Sequence, residues 1–235
     1  MNRIVIGGAL VIALMTPNVS GQEDRLHTDW AYLARYRDAN AALPPPARGE
    51  KRVAFLGDSI TEGWAQFFGS QFPGKPYVNR GISGQTTPQM LVRFRQDAIA
   101  LRPAVVVILA GVNDIAGNTG PSTLDMIENN LMSMVDLARA NGIAVVLCSV
   151  LPANKFSWRP ELAPAQDIVQ LNRWMKQYAA KHRVTFVDFW TAMADERQGL
   201  PRSLSADGVH PNEAGYRVMA PLVERGIAKA LGARP

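Results

Sequence analysis

The chain has 235 residues, 47% of them hydrophobic and 19% charged, with a formal net charge of +5. This composition excludes a disordered polymer and supplies enough chain for one domain with a full core. The basic excess is mild, and no dense Lys/Arg run marks a nucleic-acid footprint.

Residues 1–21 read as a secretory signal. Arg3 gives a positive start, Ile4 to Met15 is an apolar run, and Val19-Ser20-Gly21 offers small residues for cleavage. The run is too short for a comfortable transmembrane span, so export to periplasm or medium is expected, without stable membrane insertion after cleavage. No Cys lies near the cleavage site, which argues against a lipid anchor. Cys148 is the only cysteine, so no internal disulfide can form, and its apolar surroundings suit an inert core thiol.

Residues 22–50 are expected to form an N-terminal helix and a proline linker. Leu26, Trp30, Leu33 and Tyr36 or Arg37 follow helical spacing over Glu23 to Leu43, and Pro44-Pro45-Pro46 stops the helix. Its expected role is packing against the domain at 51–235.

From Arg52 onward, strand and helix patterns alternate. Val53–Leu56 is a predicted strand, followed by a short helix at Ser59. Tyr77–Asn79 is a second strand, leading into the turn Gly81-Ile82-Ser83-Gly84. Pro88 to Ala100 is helical. Ala104–Ala110 is a continuous apolar run, as expected of a strand buried on both faces. Ser122 is expected to open a long helix with Asp125 as capping partner, Leu124, Ile127, Leu131, Met134 and Ala138 as its buried stripe, and Asn141-Gly142 as its end. Ile143–Val150 is the fourth strand, Ala165–His182 a helix, Val184–Asp188 the fifth strand, and Pro211–Leu231 a closing helix with Pro211 in its first turn. Trp64 is expected to pack its helix on the sheet, and Trp190 to belong to the core. Five strands alternating with helices predict a parallel sheet with right-handed crossovers in a three-layer α/β/α sandwich.

Ligands of such sheets bind outside the C-terminal strand ends. Ser59 follows the first strand, Gly81 the second and Asn113 the third, while Asp207 and His210 follow the fifth. Polar candidates therefore converge on one edge. A serine hydroxyl needs a base to take its proton, and imidazole titrates near neutrality, so His210 can serve Ser59. Asp207, three residues earlier, can reach the same ring and hold its tautomer. The backbone N–H groups of Ser59 and Gly81 and the side-chain amide of Asn113 are candidate oxyanion donors, with Gly81 letting substrate approach the backbone. Taken singly, Asp58 and Ser59 could be helix caps, and Asn113 and Asp114 turn formers.

Together, Gly57-Asp58-Ser59-Ile60, the glycine in Asn79-Arg80-Gly81-Ile82-Ser83-Gly84, Gly111-Val112-Asn113-Asp114 and Asp207-Gly208-Val209-His210-Pro211 resemble the four sequence blocks of the GDSL/SGNH hydrolase family, with matching order and spacing from about Val53 to Leu231. Ile60 stands where the family's name has leucine. The resemblance implies a flavodoxin-like sheet and metal-free ester hydrolysis without a cofactor. It also implies Ser59 as nucleophile, His210 and Asp207 as the rest of a triad, and Ser59, Gly81 and Asn113 as the oxyanion hole. Asp58 and Asp114 would then be structural. The chain lacks G-x-S-x-G, G-x-G-x-x-G, a Walker pattern and any metal-ligand spacing.

The leading reading is an exported serine esterase acting on short-chain, acetyl-type esters, with O-acetylated carbohydrate as a reasonable substrate. A lysophospholipase or thioesterase with a longer acyl pocket, an O-acetyltransferase, and a catalytically inactive carbohydrate-binding scaffold remain alternatives. The proline-rich loop from Pro152 to Pro164 follows the fourth strand on the site's edge. Its Phe156 and Trp158 are candidates for shaping the substrate pocket.

Overall fold

The computed structural model describes residues 28–232. Its centre is a five-stranded, all-parallel sheet of β1 (Val53–Gly57), β2 (Tyr77–Gly81), β3 (Val105–Leu109), β4 (Ala144–Cys148) and β5 (Thr185–Val187) in the order β2-β1-β3-β4-β5. Every residue of β1 and β3 is buried, because helices cover both faces of the sheet. The register pairs Val53 with Val105 and Gly57 with Leu109, so the C-terminal ends of β1 and β3 lie side by side. The strand order reverses between these two, and there the crossovers leave toward opposite edges and open a crevice. The expected α/β sandwich with a flavodoxin-like sheet is the fold observed.

On one face, helices Thr87–Asp97, Leu124–Ala140 and Ala165–His182 pack in succession. On the other, Ser59–Trp64 packs against β1 and β2, and Glu213–Gly232 packs against β3, β4 and β5. Two contacts join this second pair of helices: the Tyr216 hydroxyl donates to the Ile60 carbonyl at 2.8 Å, and its ring stacks on Trp64. Trp64 is buried among Phe55, Phe68 and Phe72, as expected of a residue holding its helix to the sheet. Trp190 is half-buried against the core, and Cys148 is fully buried, where desolvation raises its thiol pKa and keeps it inert.

The structure corrects several expected boundaries. The Glu23–Leu43 helix reduces, among the described residues, to Arg37–Ala42. Tyr32 adopts a left-handed φ of +54°, which interrupts the helical backbone, and residues 23–27 of the expected span, Leu26 among them, lie outside the described residues. The segment packs on the domain through polar contacts. Tyr36 donates to the Gly81 carbonyl, Arg80 lies over its ring, and Asn40 donates to Asp97 at 2.7 Å. It thereby covers edge strand β2. The long helix begins at Leu124, not Ser122. Thr123 is its cap, accepting the Met126 N–H, so Asp125 is not a capping partner. Pro211 stands outside the closing helix, which Asn212 caps by accepting the Gly215 N–H at 3.0 Å.

Candidate active site

Ser59 is the first residue of its helix, two positions beyond the end of β1. Gly57 permits this sharp exit: a Cβ there would meet Thr61 and the Leu109 carbonyl. Asp58 is the N-cap, its Oδ1 accepting the Ile60 N–H at 2.9 Å. The Ser59 N–H therefore belongs to the first helical turn, where donors lack intrahelical acceptors and the dipole favours negative charge.

His210 and Asp207 come from the turn before the closing helix. The His210 Nε2 lies 2.9 Å from the Ser59 Oγ, and its Nδ1 lies 2.6 Å from the Asp207 Oδ2. The other Asp207 oxygen accepts from the backbone N–H groups of Val209 and His210 and from the Ser205 hydroxyl. Gly208, at φ +82°, lets the turn close on itself. Burial tends to raise the Asp207 pKa. The His210 ring and the backbone donors outweigh it and lower the pKa to about 2, so the carboxylate stays charged beside the imidazole.

Asn113 lies in a short helix that begins after β3, and it is buried. Its Oδ1 accepts from Asn118 at 2.9 Å, and its Nδ2 donates to the Gln85 carbonyl at 3.0 Å. These contacts orient the amide and leave one of its two N–H groups uncommitted. Asn118 also donates to the Gly84 carbonyl, tying the Gly84-Gln85 turn to the Asn113 loop.

Gly81 does not occupy the expected position. Its N–H donates to the Asn79 Oδ1 at 2.9 Å on the outer edge of the sheet, and the missing Cβ makes room for the backbone of Thr61 and Glu62. It is a packing glycine, so it is removed from the set of oxyanion donors. Gly84, three residues on, has φ +77°, is exposed and has open space around it. It belongs to the same Gly81-Ile82-Ser83-Gly84 turn, so its presence beside Gly81 is visible in the sequence.

The sequence also did not expose the polar wiring beneath the site. Arg93 is fully buried and donates to the carbonyls of Gly57 and Arg80 and to Gln85 and Asp97. It thus joins the serine turn to the Gly84-Gln85 turn. Asp114 braces the start of the Thr87–Asp97 helix by accepting from the Thr87 N–H and hydroxyl, and burial raises its pKa to about 6. Burial raises Asp58 further, to about 7, and its Oδ2 has no hydrogen-bond partner among the described residues.

The Pro152 to Pro164 loop reaches the site. Trp158, 41% exposed, stacks on the fully buried Phe156, and its ring centre is 6.4 Å from that of His210. Arg159 ties the loop to the Asn113 side by donating to the Ala116 carbonyl at 2.9 Å. Phe156 is thus the support under Trp158 and presents no surface of its own. Among the described residues, no three His, Cys, Asp or Glu side chains group as metal ligands would.

Comparison with known proteins gives a consistent picture. The model of the GDSL-like Lipase/Acylhydrolase family matches residues 55–218. The chain is 31% identical to Esterase TesA of Pseudomonas aeruginosa over 168 residues, covering 69% of this chain and 77% of that protein. It is 29% identical to an acetylxylan esterase of Geobacillus stearothermophilus, covering 73% and 91%. The solved structure of a GDSL-like lipase from Bacteroides thetaiotaomicron superposes with a TM-score of 0.83 at 45% identity, covering 86% of this chain and all of that one.

Proposed function

The chain belongs to the GDSL-like Lipase/Acylhydrolase family and is a carboxylic ester hydrolase, and from that premise we propose that it cleaves short-chain, acetyl-type esters through a Ser59-His210-Asp207 triad. The observation that carries this reading is the continuous chain of contacts from the Ser59 Oγ to His210 and on to Asp207. In the first step His210 Nε2 takes the Ser59 proton as Oγ attacks the ester carbonyl. The Ser59 N–H, the Gly84 N–H and the free Asn113 amide N–H stabilise the oxyanion. His210 then returns the proton to the departing alcohol oxygen, leaving an acyl-serine. Water, deprotonated by His210, releases the acid and restores Ser59. Asp207 holds the Nδ1 proton in place and stabilises the imidazolium throughout.

Support for an acetyl group on a carbohydrate comes from the acetylxylan esterase relative and from the site's form. Trp158, a flat exposed ring beside His210, suits a sugar face better than an alkyl chain. Export is part of the proposal, resting on the signal-like residues 1–21. Hydrolysis of p-nitrophenyl esters of increasing acyl length, by the unmodified protein and by Ser59→Ala, tests the reading. Acetate should be cleaved best, and the variant should lose about 10³–10⁶ in rate. A preference for long acyl chains would transfer the protein to the lipid-acting reading. An active Ser59→Ala would remove the triad.

A further inference from the structure

Beside the triad lies a cleft of about 380 Å³ whose lining includes Asp207 itself. It lies between Asn154 and Lys155, on the loop that carries Trp158, and the turns at 195–208. Three cationic residues line it: Lys155, Arg197 and Arg202. All three are exposed, and none forms an ion pair among the described residues. The cleft also holds two carboxylates, so its cations outnumber its anions three to two. Asp195 accepts the N–H groups of Arg197 and Gly199 at 2.9 Å each, and Asp207 holds His210. Unpartnered cations gathered around a concavity leave a field that an anion can answer.

The chemistry of the triad says which part of a substrate would reach this cleft. The imidazole must return a proton to the departing alcohol oxygen, so the alcohol leaves on the His210 side, and the oxyanion donors face the acyl carbonyl. We propose that the Lys155-Arg197-Arg202 cleft binds a carboxylate on the alcohol part of the substrate, so that the favoured substrates are acetyl esters of acidic sugars. This inference rests on the esterase reading above. Two guanidinium forks match the planar, two-oxygen geometry of a carboxylate, and Lys155 adds a mobile point charge. Trp158, on the same loop as Lys155, would cover the sugar ring between the ester and the charge.

The test uses the full chain on three probes acetylated at the same hydroxyl: a methyl glucoside, a methyl glucuronoside and a methyl glucoside 6-phosphate, with p-nitrophenyl acetate as neutral reference. The readout is the ratio of kcat/KM for charged over neutral sugar, which cancels the fraction of active enzyme in each preparation. The glucuronoside should exceed the glucoside by about tenfold, the gain expected of solvent-accessible charge-assisted contacts. The ratio should fall to about one in Arg197→Gln/Arg202→Gln and invert in Arg197→Glu/Arg202→Glu, an inversion that misfolding cannot produce. Added salt should shrink it. A ratio near one in the unmodified protein, or one unmoved by the substitutions, overturns the inference while p-nitrophenyl acetate turnover keeps the esterase reading. A phosphate probe preferred over the glucuronoside overturns the carboxylate assignment. Failure to cleave even p-nitrophenyl acetate removes the esterase reading and this inference with it.

Discussion

Asp58 offers the sharpest physical test of the turn that bears Ser59. Its carboxyl is buried, one oxygen caps the helix and the other has no partner among the described residues. Burial raises its pKa from the ordinary 3.8 to about 7 in the folded chain. At about 1.36 kcal/mol per pH unit, that difference corresponds to about 4 kcal/mol as an upper bound. A raised carboxyl favours folding while protonated. Its contribution is complete below about 3.8 and is lost as pH rises through about 7. Asp114, raised to about 6, acts in the same direction. Asp207, lowered to about 2, acts oppositely: its contribution holds above the ordinary carboxylate range and is lost only as pH falls toward 2, below the window of interest. Asp58→Asn keeps an oxygen for the Ile60 N–H and removes the titration. Its amide N–H groups replace the unpartnered oxygen, which adds a pH-independent penalty of about 1–3 kcal/mol. The stability difference between variant and unmodified protein should therefore move in the variant's favour by up to about 4 kcal/mol between about pH 4 and pH 8. Urea unfolding followed by tryptophan fluorescence at half-unit pH steps measures it. Two stability curves that stay parallel across that range would refute the argument, because Asp58 would then ionise alike in both states.

Three further outcomes follow from the geometry. Asn113→Ala should lower kcat by about 10²–10³ with little change in KM, as expected for an oxyanion donor, and a loss under tenfold would take Asn113 out of that role. Trp158→Ala should leave the melting temperature unchanged, because the ring is 41% exposed, and should raise KM for sugar acetates by about tenfold; unchanged kinetics on every ester would remove Trp158 from the substrate surface. Gly111→Ala should destabilise by about 2 kcal/mol or more, since φ is +120° and a Cβ would sit 2.9 Å from the Leu171 Cδ2; a thermal melt unaltered by the change would contradict this.

What was legible in the sequence was local. Asp207 and His210 are three residues apart, so one turn brings carboxylate and ring together whatever the rest of the chain does. The run at Ala104–Ala110 announced a doubly covered strand, and β3 is buried along its whole length. Ser59 meets His210 across 151 residues, yet that pairing was still readable, because both lie beyond C-terminal strand ends of one parallel sheet. Gly81 was misread for a reason that no motif carries. Along an edge strand the N–H groups alternate between the neighbouring strand and the open side, and the Gly81 N–H faces the open side, where Asn79 takes it. Two glycines three residues apart look equivalent until the register is known. Arg93 was hidden differently. It occupies the buried face of an amphipathic helix, where an apolar residue is the ordinary expectation, and its partners at Gly57, Arg80 and Gln85 come from three separate segments. A buried cation costs several kcal/mol in desolvation unless each donor is met, so this position is tolerated only because three backbone and side-chain acceptors and Asp97 converge on it. Chemistry carried by neighbours in sequence declares itself as a motif. Positioning carried by a side chain whose partners are scattered appears only when the fold is known, and here that side chain connects the turn bearing Ser59 with the turn bearing Gly84.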